Sequence, residues 1–187
     1  AISKGSEDTQ YYVSGGYLSH KGVVTDTKFE RYSVKANVHS KLFKWLEMTA
    51  DINMSQSNGS GAGFNQNQSN PLWVGLNYSP TMEMMNSQGQ YNQDPYNNIQ
   101  KNPYGILHGN ENDRKRSVVS GHIDLKFNIA KGLTFTTTNG VDYSDAKSYS
   151  YGNSLVMSSS SMRNSDRYKL MLQSSNNLTY MGHWDKH

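Results

Sequence analysis

Carboxylates at regular spacing are the first residues of this 187-residue chain with catalytic potential. Glu47 with Asp51, or Asp124 with Asp142, have the residue types that glycoside hydrolysis needs, two carboxyl groups facing each other across about 5 to 9.5 Å. Each lies in a run where polar and apolar residues alternate, and a solvated wall accounts for such charges more simply, so no catalytic residue and no enzymatic activity is expected. His183 and His187 in "HWDKH" have a spacing found in zinc sites, but zinc takes four ligands and no companion cluster is near. Cysteine is absent, which removes disulfides, thiolate metal sites and thiol nucleophiles. "GSGAG" at 59–63 lacks the Lys-Ser/Thr of a phosphate-binding loop, and "NENDR" lacks the glycine and distal glutamate of a calcium loop. No metal and no cofactor is expected.

Binding chemistry is better represented. Trp73, Tyr78, Tyr91, Tyr96 and Tyr104 stand among Asn and Gln, so flat apolar faces are ringed by amide donors and acceptors suited to a sugar or peptide. The same aromatics serve equally well to pack a loop against itself or against a lid. Arg114, Lys115 and Arg116 open a strand, where they suit lipopolysaccharide phosphates but read more simply as a solvated strand end.

The elements that must position these residues are strands. In "KWLEMTADINMSQ", Leu46, Met48, Ala50, Ile52 and Met54 occupy one parity, and Glu47, Thr49, Asp51, Asn53 and Ser55 the other, the period of two of a strand with dissimilar faces. The same alternation runs through "QYYVSGGYLSH", "RYSVKANVHS", "VVSGHIDLKFNI" and "RYKLMLQSSNNLTYM". It is weaker in "LTFTTTNGVDY", where Thr137 and Asn139 share the apolar parity. That makes about six antiparallel strands, an all-β meander.

Connection lengths decide what the meander belongs to. Short reversals at "KLFK" and "AKG" alternate with a long polar stretch over 58–113 and a Ser-rich one near "SYSYGNSLVMSSSSMRNSD". Connections above about 15 residues are uncommon inside compact soluble domains, whereas a transmembrane barrel joins its strands by tight periplasmic turns and long outer loops. Each segment supplies the roughly 9 to 11 residues of a tilted membrane strand. Tyr17, Tyr32, Tyr143, Tyr168 and Tyr180 near segment ends suit interfacial girdles. On this reading Val34, Val38, Met48, Ile52, Ile123, Leu125, Leu170 and Leu172 face lipid, and the chain is a segment of a large transmembrane β-barrel. "NPLWVGL" in the long loop is compatible with a short helix.

Composition agrees. Only 34% of residues are hydrophobic and 18% charged, with a mean hydropathy of -0.80, the balance being polar and small residues suited to loops and a wet wall. The net charge is +3 without a continuous basic stripe, so nucleic acid is not an expected partner. No apolar run approaches the roughly 20 residues of a membrane helix, which leaves barrel strands open. Termini that fall beside strand patterns, with neither initiator methionine nor signal peptide, suggest a piece of something longer.

The stretches "YYVSGGYLSHKGVV", "FERYSVKANVHSKLFKWLEMTADI", "SPTMEMMNSQGQY" with "NPYGIL", "KGLTFTTTNGVDY" and "HWDKH", in this order, resemble the SusC/RagA-type TonB-linked outer-membrane transporters of Bacteroidota. The resemblance covers most of the chain. It implies a partial TonB-dependent receptor barrel over 1–187, without the plug domain, the TonB-contacting segment or the closing strand, in the outer membrane of a Gram-negative bacterium. It also implies import of oligosaccharides, glycans or peptides, powered by TonB, with a SusD-like lipoprotein as lid. Two rival expectations follow from strands and aromatics alone: a secreted soluble β-sandwich that binds carbohydrate, and a surface adhesin barrel without transport.

Overall fold

The computed structural model of the chain describes residues 1–61, 70–93, 101–154 and 159–182. Seven strands form one antiparallel sheet in chain order: β1 (Ile2–Gly5), β2 (Thr9–Lys21), β3 (Lys28–Phe43), β4 (Leu46–Ser60), β5 (Glu111–Ala130), β6 (Leu133–Gly152) and β7 (Ser161–Tyr180). Two short helices, α1 (Pro71–Asn77) and α2 (Pro103–Gly109), stand between β4 and β5. The all-β meander holds, as an open sheet whose outer strands are β1 and β7. One sheet carries every described strand.

Alternation sets the two faces, and the register lines them up. Val34 lies opposite Met54, Ala36 opposite Ile52 and Val38 opposite Ala50. Met48 then meets Leu125, and Ala50 meets Ile123. Phe127 meets Phe135, and Val141 and Tyr143 meet Leu172 and Leu170. From Leu46 to Met54 this apolar band runs about 26 Å along the chain at ~3.3 Å per residue.

Aromatics mark both ends of the band. Tyr17 and Tyr32 pair at one end with ring centroids 4.9 Å apart. At the other, Trp45 stacks between Phe43 at 5.3 Å and Phe127 at 6.2 Å, and Phe127 meets Phe135 at 6.0 Å.

Several boundaries differ from the sequence expectation. There are seven strands rather than about six, because β1 pairs with β2 without alternation of its own. Most strands are longer than 9 to 11 residues, with 20 each in β5, β6 and β7. The long connection shrinks from 58–113 to 61–110, and the Ser-rich one to 153–160. The reason is physical: above the apolar band both faces meet water, so side-chain alternation ends while backbone pairing, which needs no particular side chain, continues. Gly132, at φ 79°, makes the two-residue reversal between β5 and β6, a conformation that costs glycine little.

Candidate functional site

The polar face of the sheet is organised in rows that follow the register. Asn37, Asp51, His122, Gly140 and Gln173 form one row, and His39, Thr49, Asp124, Thr138 and Ser175 the next. His122 Nε2 lies 2.9 Å from Asp51 Oδ2 and 3.6 Å from Asp124 Oδ2, so one imidazole is shared by two carboxylates from neighbouring strands. His39 Nδ1 is 2.9 Å from Thr49 Oγ1, and Lys126 Nζ 3.5 Å from Glu47 Oε2. These contacts tie neighbouring strands together across the polar face.

The acid/base pairs considered from sequence do not form. Glu47 and Asp51 are four residues apart on one strand, about 13 Å at ~3.3 Å per residue, beyond the span that glycoside hydrolysis uses. Asp124 and Asp142 are separated similarly, since they pair with Thr138 and Ser120 respectively. The sharing of His122 by Asp51 and Asp124 escaped sequence reasoning, because it depends on a register set across the long loop.

All eight residues expected to face lipid share the other face. Val34, Ile52, Ile123, Leu170 and Leu172 are exposed there, Leu172 at 73%, and Val38, Met48 and Leu125 are half-buried against their neighbours. That face is interrupted by a small polar group whose members satisfy one another: the Asn139 amide donates to Thr137 Oγ1 at 3.1 Å, and Ser174 Oγ donates to Asn139 Oδ1 at 2.8 Å. Such mutual bonding lowers the cost of placing these groups against an apolar phase.

The long connection folds into a cap of its own. Val74 and Ile106, one from each helix, are buried against each other with Trp73 and Tyr91 packed on them. Asn70 caps α1, its Oδ1 accepting from the Leu72 and Trp73 amides, and Pro71 follows at the first helical turn. Asn102 does the same for α2 through the Gly105 amide at 3.0 Å. It is 1% exposed, and its amide nitrogen also donates to the Met84 carbonyl at 2.6 Å, the Asn92 carbonyl at 2.8 Å and Tyr78 Oη at 3.4 Å. α2 leans on the turn between β2 and β3, where His108 Nδ1 is 3.4 Å from Asp26 Oδ2. Burial in this cap pushes the Lys101 ammonium below its ordinary pKa.

The cap corrects part of the expected binding set. Tyr78 is 6% exposed, and its hydroxyl donates to the Asn92 carbonyl at 3.2 Å, so it helps hold the cap together. Trp73 and Tyr91 are also engaged in that small core. Tyr104 is the outward-facing member, 42% exposed, between Tyr91 and His108 with ring centroids at 6.2 and 4.2 Å. Tyr96 lies outside the described residues, as do His183 and His187. The helix expected at "NPLWVGL" is α1; α2, at "NPYGIL", was not anticipated, although an Asn-Pro pair opens both. Among the described residues no three His, Asp or Glu side chains are placed so that they could hold a metal ion.

No family model matches the chain. Two curated proteins of Formosa agariphila are similar to it in sequence. TonB-dependent receptor P3 is 24% identical over 151 residues, 75% of this chain. TonB-dependent receptor P39 is 28% identical over 150 residues, 79% of this chain. The chain spans 14% of the length of each of these relatives. Among solved structures, the RagAB peptide importer in its closed-closed state superposes with a TM-score of 0.74 at 20% identity, over 98% of this chain and 22% of that one. At that identity it shows a shared fold, that of a β-barrel segment. The resemblance to SusC/RagA-type TonB-linked transporters of Bacteroidota thus holds in sequence and in fold, and the relatives' names are those of receptors rather than enzymes.

Proposed function

We propose that the chain is the outer-membrane barrel segment of an active nutrient importer, with its apolar face on lipid, its polar face on the lumen and its helical cap on the outside of the cell. One observation carries this reading: a single sheet holds an apolar band, ended by aromatics at both edges and left exposed, beside a face whose charged groups pair across neighbouring strands. A soluble domain of this composition would bury that band. The three shortest connections, at 6–8, 44–45 and 131–132, fall at the Trp45 end, and the 22–27 turn, the cap and the 153–160 connection at the other, the asymmetry expected of an outer-membrane barrel.

The whole protein takes up oligosaccharides, glycans or peptides, bound by outer loops and lumen without covalent chemistry. TonB energises it, and a SusD-like lipoprotein closes over the cap. The similarity to TonB-dependent receptors supports the energy source, and the fold shared with a peptide importer is compatible with a lipoprotein partner and a chain-like substrate. Of the expected aromatic contacts, Tyr104 is the one we retain among the described residues.

The test is to express the full-length protein with its neighbouring lipoprotein and follow uptake of fluorescent oligosaccharides and peptides with and without TonB. TonB-dependent uptake by an outer-membrane protein whose gel migration shifts on heating is the expected result. Recovery of the full-length protein in the soluble fraction would overturn the reading.

A further inference from the structure

The outer half of the polar face carries charge of one sign. Arg31, Arg116 and Arg167 occupy a single row of the sheet, separated by Ser57 and Ala146, so a guanidinium projects from every second strand with only small side chains between. Arg114 and Lys169 flank the row on the same face, and Lys35 stands two rows further in. All six are exposed, and among the described residues none forms an ion pair. The nearest carboxylate on this face, Asp142, lies two rows further in, opposite Ser120.

The opposite face at the same height is built differently. There Lys28 pairs with Glu30 at 2.8 Å, Lys147 lies 4.0 Å from Asp145, and Lys115 stands in a row with Lys147 and Asp166. Cations are matched by carboxylates outside and left unmatched inside. A merely solvated strand end has no reason for that asymmetry.

We propose that this row is a selectivity element for anionic oligosaccharides, chains bearing sulfate or carboxylate groups, at the outer mouth of the lumen. The inference rests on the transporter reading, which makes this face the lumen wall. Guanidinium forks match planar carboxylate and the oxygens of sulfate with paired N–H donors, and a concave wall of one sign concentrates counter-charged solutes. Spacing favours a glycan over an acidic peptide. Every second strand is about 9.6 Å, from strands ~4.8 Å apart, close to the length of two linked pyranose rings. Same-side residues of an extended peptide recur at only about 6.7 Å.

The test uses the full-length protein in detergent or bilayers and measures binding of dextran sulfate, neutral dextran of equal length, and polyglutamate. Expected are binding of dextran sulfate at least about tenfold tighter than dextran, and loss of about tenfold in the combined variant Arg31→Ser, Arg116→Ser, Arg167→Ser. Lys28→Ser, Lys115→Ser, Lys147→Ser, which removes the same charge from the other face, leaves binding unchanged. Equal binding of dextran and dextran sulfate, preference for polyglutamate, or equal loss in both combined variants overturns the proposal. So does a normal affinity in the arginine variant accompanied by a weakened barrel, which would mean that the row pairs with another part of the same protein. Should that variant not assemble, Arg116→Gln alone is measured, with a smaller loss expected and no loss overturning. Barrel assembly is read separately from heat-shifted migration: an assembled barrel without anion preference refutes the selectivity row alone, whereas a protein that never forms a barrel refutes the transporter reading beneath it.

Discussion

Asp51 and Ile52 are consecutive in β4 and face opposite ways: the Asp51 carboxylate lies 2.9 Å from His122 on the polar face, and Ile52 stands between Ala36 and Gly121 on the apolar one. A one-residue slip would exchange the two environments, so this pair reports directly on which face meets lipid.

Ile52→Arg in the full-length protein is expected to lower folding stability by about 2–4 kcal/mol, the cost of a cation near the middle of a lipid-facing band. The fraction of protein in the outer membrane that shifts on heating should fall accordingly. Asp51→Arg is expected to be tolerated far better, because that side chain lies on the polar face and Asp124 remains as a partner for His122. Equal tolerance at the two positions would remove lipid from the apolar face.

How much of this was legible follows from what each residue must satisfy. The period of two in Leu46–Met54 and in Ile123–Phe127 is written by the difference between the two faces, so those segments read clearly. Past Tyr32 and Tyr143 that difference vanishes, so the outer ends of β5, β6 and β7 carry no alternation although their backbones stay paired. The row of Arg31, Arg116 and Arg167 was unreadable for another reason: Arg31 and Arg116 are joined through a register that closes over the 61–110 connection, and no local signal encodes it. Arg114, Lys115 and Arg116 read together as a solvated strand end, yet Lys115 lies on the face opposite the other two. Tyr78 has the chemistry of a ligand contact, and only its Asn92 and Asn102 partners show that it is internal.

Asn102 holds the cap from its centre. Asn102→Ala removes the α2 cap and one of two donors from each of the Met84 and Asn92 carbonyls, which keep the Asn92 amide and the Tyr78 hydroxyl, for an expected local loss of about 1–2 kcal/mol. Asn102→Asp keeps the oxygen that accepts from Gly105 but removes the three donated bonds, so it is expected to be no better. Hydrogen exchange over 70–110 should quicken in both variants, while the strands stay protected. Unchanged exchange in Asn102→Asp would mean that the amide donors contribute nothing to the cap.

Gly121 and Gly140 both sit in central strands, but only one has room to spare. A Cβ on Gly121 would lie 2.7 Å from the Asp51 carbonyl oxygen, a backbone atom that cannot swing away, whereas a Cβ on Gly140 meets nothing nearer than 3.7 Å. Gly121→Ala is expected to destabilise the β4–β5 pairing by about 1–3 kcal/mol. Gly140→Ala is expected to be neutral or slightly stabilising, since it restricts the unfolded chain without strain. Urea unfolding of the full-length barrel in lipid separates the two, and equal effects would contradict the close approach of β4 to β5.

Trp45 offers a depth gauge for the inner edge of the band. It is exposed beside the reversal between β3 and β4 and stacked on Phe43 with the rings 5° from parallel, the setting of an interfacial aromatic. In full-length protein carrying Trp45 as its sole tryptophan, lipids brominated near the headgroup should quench its fluorescence more than lipids brominated near the chain ends. Leu172→Trp in the tryptophan-free background, opposite Val141 and well inside the band, should show the reverse order. The paired measurement separates lipid contact from simple exposure, because water surrounds both residues in a soluble sheet and bromine depth would then make no difference to either.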